Sequence, residues 1–163
     1  MNNFNNVNAL TGWSHYAISG TDDWEHGFAS LETNLNNLAW ETKLRGTPTT
    51  SSVRVLESPS FDLTNAGLPY VLSFKHTSNI NSSNFYLDYS INNGVTWQLF
   101  NPTTTLKKNW QFGSGFSYSS SGYSTVSAID LSSLQGNPNV KFRFRFVTNS
   151  YCNGFGWVID DFS

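Results

Sequence analysis

Apolar and polar residues alternate along several short stretches of this chain. Three stretches place an apolar side chain at every second position: residues 70–75, 85–91 and 140–146. In the last of these, valine and three phenylalanines alternate with Lys141, Arg143 and Arg145. A period of two sends successive side chains to opposite faces of a strand. The pattern therefore predicts strands that bury one face, with Arg143 and Arg145 pointing away from the core.

Turn signals separate these stretches, and no segment shows a helical period of normal length. Asn93-Gly94 is a strong hairpin signal, because both residues tolerate the positive φ of a tight turn. The surrounding pattern, Ser90 to Trp97, resembles the Asp-box of sialidases and other extracellular β proteins, in which the tryptophan packs beneath the turn. We therefore predict a structural role for Trp97 rather than sugar binding. Short strands with turns between them indicate an all-β sandwich or barrel, formed here by one domain over residues 1–163.

The composition of the chain limits the classes of partner that it can be expected to bind. Charged residues make up 12% of the 163 residues, and nine Lys and Arg against eleven Asp and Glu give a net charge of −2. A nearly neutral chain offers no basic patch, so neither nucleic acid nor a membrane is expected as a partner. Aromatic residues make up 16%, which excludes a disordered chain. The sequence contains one cysteine, Cys152, so no intramolecular disulfide can form.

The N-terminus lacks the basic and apolar segments of a signal peptide, and no apolar stretch is long enough for a membrane helix. A chain this rich in Asn, Ser and Thr is nevertheless typical of extracellular bacterial β modules. We therefore expect a secreted or cell-surface module, with Met1 added to a piece of a longer protein. We also expect a monomer that is tethered to this larger parent chain.

Five short motifs occur in an order that has a family counterpart. They are Phe4-Asn5, Gly12-Trp13, Asp22-Asp23-Trp24, Ser58-Pro59 and Ile159-Asp160-Asp161. Together they resemble the MAM domain and its disulfide-free relatives on secreted and surface proteins of Bacteroidetes-type bacteria, over nearly the whole chain. The resemblance implies an antiparallel two-sheet β-sandwich with jelly-roll topology. The sequence departs from the family at Asn5, where the family usually has glutamate.

Five of the eleven acidic residues fall in two runs: Asp22, Asp23 and Glu25, then Asp160 and Asp161. Carboxylates held close together repel each other and normally need a cation. Oxygen ligands without His or Cys select Ca²⁺. The MAM-like resemblance implies a structural calcium ion, and the residues that it implies as ligands are Asn5, Asp22, Asp23, Asp160 and Asp161. The alternative is that Asp22 and Asp23 cap a turn and that Asp160 makes a surface hydrogen bond.

The sequence shows no recognisable catalytic constellation. His15, His26 and His76 lack metal-ligand spacing, and there is neither a nucleophile motif nor a phosphate-binding glycine loop. Cys152 lies in a polar segment without a histidine nearby in the sequence. The remaining acids are scattered, whereas a glycosidase needs two carboxylates across a cleft. We therefore expect a binding module rather than an enzyme.

One segment has the composition of a carbohydrate-binding loop. Residues 109–127 mix aromatic rings with Ser, Gly and Asn. Rings can stack on the apolar faces of sugars, while short polar side chains match their hydroxyls. We select Trp110, Tyr118 and Tyr123 as candidate carbohydrate-binding residues. The alternative for Trp110 is packing into the core.

Arg143 and Arg145 are a second candidate binding site, because guanidinium groups match uronate or sulfate bidentately. The alternative is that they pair with Asp88 or Glu57 on a neighbouring strand. These observations predict a non-catalytic carbohydrate-binding accessory module of a secreted bacterial polysaccharide-degrading enzyme or surface protein, with polysaccharide as the partner. The alternative function is a protein-interaction or adhesion module.

Overall fold

The computed structural model describes residues 4–30, 38–65, 67, 69–101, 107–108 and 125–163. Nine strands make up most of this part of the chain: β1 (Ser14–Ser19), β2 (Trp24–Phe28), β3 (Leu38–Thr42), β4 (Val53–Glu57), β5 (Val71–Ser90), β6 (Gln98–Leu99), β7 (Lys107–Lys108), β8 (Thr125–Asp130) and β9 (Lys141–Asp160). The helical segments among the described residues are two short 3-10 turns, Val7–Leu10 and Ser132–Leu134. The prediction of an all-β fold is confirmed.

β5 and β9 form the centre of the fold. Each is 20 residues long, and the two pair antiparallel along their length, with register shifts near the middle. Residues 83–90 and 141–148 belong to a front sheet in the order β1-β4-β9-β5-β6. Residues 71–78 and 157–160 belong to a back sheet in the order β2-β3-β9-β5-β8-β7. The predicted antiparallel two-sheet sandwich with jelly-roll topology is confirmed.

An aromatic core fills the space between the two sheets. Phe142, Phe144 and Phe146 are all buried, as their alternation predicts. The ring of Phe144 lies 4.9 Å from that of Phe74 and 5.4 Å from that of Trp157, both of which come from the back sheet. Edge-to-face aromatic pairs contribute about 0.5–1.5 kcal/mol beyond their buried area. β9 therefore supplies core residues to both sheets, and its alternate residues in the front sheet face outward.

Close packing between β3 and β9 depends on Gly156. The backbone N–H of Trp157 donates to the Thr42 hydroxyl at 2.7 Å. A Cβ atom at position 156 would overlap the hydroxyl and carbonyl oxygens of Thr42. Only glycine lets the two strands approach this closely. The contact fixes β3 against the centre of the back sheet.

Candidate binding face

The outward face of the front sheet carries a cluster of charged and aromatic side chains. β5 and β9 pair here so that Asp88 lies opposite Arg143 and Tyr86 lies opposite Arg145. Directly opposite residues share a face of the sheet, so these four side chains project together. Trp97, from the turn between β5 and β6, joins them by contacting Arg143. We call these five residues the arginine face.

Asp88 holds both arginines by charge-assisted hydrogen bonds. Arg145 donates from Nε to Oδ2 at 2.7 Å and from Nη2 to Oδ1 at 2.9 Å. Arg143 donates from Nε to the same Oδ2 atom at 2.9 Å. The hydrogen bonds to Asp88 raise the pKa of Arg145, against the opposite effect of burial. The structure thus contains the ion pairs with Asp88 that the sequence left open as the alternative to ligand binding. A role of these arginines in sugar binding stays a prediction.

Each guanidinium group also lies over an aromatic ring. The Cζ atom of Arg143 is 4.5 Å from the centre of the Trp97 ring, and that of Arg145 is 4.1 Å from the centre of the Tyr86 ring. Both distances fall within the ~6 Å reach of cation–π attraction. Tyr86 and Trp97 are half-buried, so each ring keeps part of its surface in solvent. A carboxylate at one edge and a ring at one face therefore fix each arginine.

The turn after β5 brings Trp97 to the arginine face. Asn93 and Gly94 have positive φ angles of 57° and 90°, as a tight hairpin turn requires. The Ser90 hydroxyl accepts a hydrogen bond from the Gly94 backbone N–H at 2.9 Å. The Trp97 ring lies so close that a Cβ atom on Gly94 would be 3.4 Å from it. Trp97 therefore packs against the turn, as the Asp-box pattern predicts, and also contacts Arg143.

The alternation of residues 140–146 predicts the outward direction of the two arginines, whereas Tyr86 and Trp97 are not among the predicted site residues. The available signal for Tyr86 was its alternation with the core residues of 85–91. Trp97 follows a turn, where no period predicts the direction of a side chain. The Asp-box pattern around Trp97 favours a structural role in the turn over a role in binding.

A further ion pair borders the arginine face. Lys141 Nζ lies 2.8 Å from Glu57 Oε1. Glu57 belongs to β4 and lies directly opposite Arg143 in the sheet. The arginine face and this bordering ion pair together contain three cationic side chains, Lys141, Arg143 and Arg145. They contain two anionic side chains, Glu57 and Asp88.

The predicted carbohydrate-binding residues Trp110, Tyr118 and Tyr123 lie outside the described residues. The structure therefore gives no partner, exposure or direction for these three side chains. Their part in carbohydrate binding stays a prediction from the composition of the segment.

The first acidic run has partners within the protein. Asp22 Oδ2 lies 2.7 Å from His15 Nδ1. Asp23 Oδ2 lies 3.1 Å from Arg54 Nη1, in an ion pair whose two side chains are almost completely buried. The Thr49 backbone N–H also donates to Asp23 at 2.6 Å. The repulsion expected at this run is thus offset at Asp23 by the charge of Arg54, and Asp22 has a hydrogen-bond partner in His15.

The other predicted calcium ligands lie at a different place. Asp161 pairs with Lys75, and its backbone N–H donates to Asp160 Oδ1 at 2.7 Å. Asn5 Oδ1 accepts a hydrogen bond from the backbone N–H of Leu38 at 2.6 Å. Leu38 begins β3, and the register of β3 against β9 puts this end of the strand beside the Asp160–Asp161 pair. Asn5 is therefore at the same end of the back sheet as the second acidic run.

The back sheet separates the two acidic runs instead of bringing them together. The register of β2, β3 and β9 puts Asp160 level with Gly27. Gly27 follows Asp23 by four residues, and four residues span about 13 Å along a strand at ~3.3 Å per residue. Among the described residues, no three or more His, Cys, Asp or Glu side chains form a group that could hold a metal ion. The five predicted ligands do not fit one shared ion as they are placed. Calcium binding stays a prediction, for which melting with and without a chelator is the measurement.

Cys152 is not placed as an activated nucleophile. Its thiol donates to the carbonyl oxygen of Pro48 at 3.2 Å. Burial raises the pKa of Cys152 above its ordinary value. A reactive cysteine needs the opposite shift, because the thiolate is the nucleophile.

Several solved structures share this fold. The K1 cleaved adhesin domain of Lys-gingipain from Porphyromonas gingivalis W83 has a TM-score of 0.57 at 15% sequence identity, with 93% of this chain and 89% of that chain covered. TmCBM61, solved with β-1,4-galactotriose, has a TM-score of 0.55 at 11% identity, covering 94% and 87%. The family 11 carbohydrate-binding module from Clostridium thermocellum, solved with a mixed-linked tetrasaccharide, has 0.50 at 14% identity, covering 93% and 87%. At these identities the likeness shows a common fold.

No curated protein sequence matches the chain. None of the described helices is long and apolar enough to cross a membrane. The comparisons confirm the jelly-roll domain that the sequence motifs implied, but they do not support the narrower resemblance to MAM domains. The family model of Reelin subrepeat B matches residues 47–163, and this chain therefore belongs to the Reelin subrepeat B family.

Proposed function

We propose that this chain is a non-catalytic carbohydrate-binding module of a secreted or cell-surface protein and that it binds polysaccharide on the arginine face. One observation carries the proposal: two partly exposed rings, Trp97 and Tyr86, lie on one sheet face with two fixed guanidinium groups. Aromatic rings stack on the apolar faces of sugars, and a few placed polar groups orient the hydroxyls. The arginine face has both components.

The structural neighbours support a binding role of this kind. TmCBM61 and the family 11 module were both solved with bound oligosaccharides. The K1 domain of Lys-gingipain is an adhesin domain. Carried over to this chain, these functions favour recognition of a ligand over catalysis.

The acids of the front sheet also support a non-catalytic role. Both carboxylate oxygens of Asp88 accept hydrogen bonds from arginine. Glu57 pairs with Lys141. A glycosidase needs one carboxyl group that donates a proton and another that acts as base or nucleophile. Because Asp88 and Glu57 are already held in ion pairs, they are poorly placed to donate a proton or to act as base or nucleophile.

Retention on immobilised polysaccharides tests the proposal. We expect the folded chain to be retained on at least one insoluble or gelled glycan. Trp97→Ala and Tyr86→Ala should each weaken binding about 5- to 150-fold, because loss of one stacking ring typically costs ~1–3 kcal/mol. The matched control is Tyr151→Ala, which removes a ring that is 64% exposed but lies outside the arginine face. This control should bind as the parent does.

Failure of retention on all neutral and acidic glycans would contradict the proposal and favour the alternative, an adhesion module that binds protein. Parental retention by folded Trp97→Ala and Tyr86→Ala variants would exclude the arginine face as the site. In that case Tyr118→Ala and Tyr123→Ala would test the segment selected from composition. Melting curves of every variant separate loss of binding from loss of folding.

A further inference from the structure

We propose that the arginine face recognises a glycan through an anionic substituent, the carboxylate of a uronic acid or a sulfate ester. This inference rests on the proposed function and specifies the ligand class of the same site. It is carried by the hydrogen bonding of Arg143, by the balance of charge around it and by the rigidity of the two guanidinium groups.

Arg143 has an open pair of donors. Its Nε atom donates to Asp88, but its two terminal nitrogens have no acceptor among the described residues. The side chain is 13% exposed, so it is largely held within the face but keeps part of its surface in solvent. Two parallel N–H groups of this kind match the two oxygens of a carboxylate or sulfate. Arg143 is therefore arranged to bind an oxyanion end-on.

Among the described residues, the acids that pair with this cluster do not supply enough negative charge to neutralise it. Asp88 is the acid shared by Arg143 and Arg145, and both of its oxygens are already bonded. Glu57 is committed to Lys141. Three cations against two anions leave one positive charge in excess, in a chain whose net charge is −2. An anionic group on the ligand would balance this excess.

The rings and Asp88 hold the guanidinium groups in place before a ligand arrives. Trp97 covers one face of Arg143, and Tyr86 covers one face of Arg145. A long cationic side chain normally loses rotamer freedom when it binds, and a fixed side chain has less to lose. The same rings can contact the sugar that carries the anion. A neutral sugar would use the rings but would leave the Arg143 donors without an anionic partner.

Titration with three matched oligosaccharides tests the inference. The probes are a neutral galacto-oligosaccharide, an oligogalacturonate and a sulfated galacto-oligosaccharide of equal length. We expect at least one anionic probe to bind tenfold or more tightly than the neutral probe. This preference should fall as salt is raised, because salt screens exposed charges. Comparison of the two anionic probes then identifies carboxylate or sulfate as the group recognised.

Variants of Arg143 show whether the preference arises from its paired donors. Arg143→Lys keeps the positive charge but loses the fork, and Arg143→Gln loses both. Both should reduce the ratio of anionic to neutral affinity at least fivefold. Arg45→Gln is the control, because it makes the same change in net charge at an exposed arginine outside the arginine face. It should keep the parental ratio.

Equal affinity of the parent for neutral and anionic probes would overturn this inference while leaving carbohydrate binding intact. An unchanged affinity ratio in Arg143→Gln would overturn it as well. No binding of any probe or polysaccharide would overturn both this inference and the proposed function. The ratio is measured within each variant, so a general loss of stability does not mimic the expected result.

Discussion

Asp22 and Asp23 are neighbours in sequence but have different surroundings. Asp23 and Arg54 form an ion pair with side chains that are 2% and 0% exposed. Asp22 pairs with His15 at the surface, where the side chains are 26% and 38% exposed. Removal of one partner from a buried pair leaves the other charge without compensation, whereas a surface pair contributes little.

We expect Asp23→Asn to lower the free energy of unfolding by about 3–5 kcal/mol, the usual effect of breaking a buried pair. Asp22→Asn, the matched control one residue away, should lower it by no more than ~1 kcal/mol. Urea unfolding followed by tryptophan fluorescence gives both values. Similar losses in the two variants would contradict the distinction between a buried and a surface pair.

Glu41 is a buried acid that faces Glu25 across the β2–β3 pair. The Ser30 backbone N–H donates to Oε2 at 2.8 Å, and Oε1 has no partner among the described residues. Burial, with a further contribution from the charge of Glu25, raises the pKa of Glu41 above its ordinary value of 4.5. Its stabilising contribution is therefore fully present below pH 4.5 and is lost as pH rises through the raised pKa.

The variant Glu41→Gln keeps an acceptor for Ser30 and removes the titrating group. We expect the variant to be more stable than the parent at pH 7 and to show no such gain at pH 4. Urea midpoints measured between pH 4 and pH 8 test this difference in slope. Glu25→Gln is the exposed control and should change the slope less. A gain that is the same at every pH would show that titration of Glu41 is not its cause.

At the scale of elements, the sequence predicts strands well wherever alternation is strong. The outward direction of Arg143 and Arg145 follows from the buried phenylalanines between them. By contrast, residues 77–84 and 147–156 are polar or irregular, yet they lie within β5 and β9. These segments are held by backbone pairing with each other. Such pairing leaves no periodic signal in the side chains.

The candidate site shows the same limit. Asp88 and Tyr86 alternate with core residues, so their outward direction was readable from the sequence. Trp97 reaches Arg143 because the turn after β5 packs beside the start of β9, where the Asn93 backbone N–H donates to the Asn139 carbonyl at 3.1 Å. This contact joins residues far apart in the chain. It cannot be inferred from a local pattern.

The approach of β3 to β9 gives a prediction at this scale. Gly156→Ala should lower the free energy of unfolding by at least ~3 kcal/mol, which is the upper end of the usual penalty for overpacking. The penalty is this large because the added methyl group meets backbone that cannot move aside. Gly136→Ala is the control, because nothing lies within 4 Å of an added Cβ atom there although φ is +90°. It should cost only the ~1–2 kcal/mol of a left-handed backbone.

Thermal unfolding of the two glycine variants provides the measurement. A melting temperature for Gly156→Ala that equals that of Gly136→Ala would mean that β3 can move away from β9 without penalty. The tight contact would then not be required for the back sheet.

At the scale of the whole molecule, β9 connects groups of described strands that do not otherwise pair with one another. Without it, the described strands fall into three groups: β1 with β4, β2 with β3, and β5 with β6, β7 and β8. β9 pairs with one member of each group. Both sheets, and the core between them, therefore depend on the same strand.

This arrangement has a consequence for synthesis on the ribosome. Residues 141–160 follow all the other strands in the chain, so the earlier strands emerge before the segment that joins them. Until then, their apolar faces and unpaired edges remain open to other nascent chains, and such edges are prone to aggregation. The charged and polar residues along β5 give some protection during this interval. The last twenty-residue strand to be made thus sets the moment at which the rest of the domain can fold.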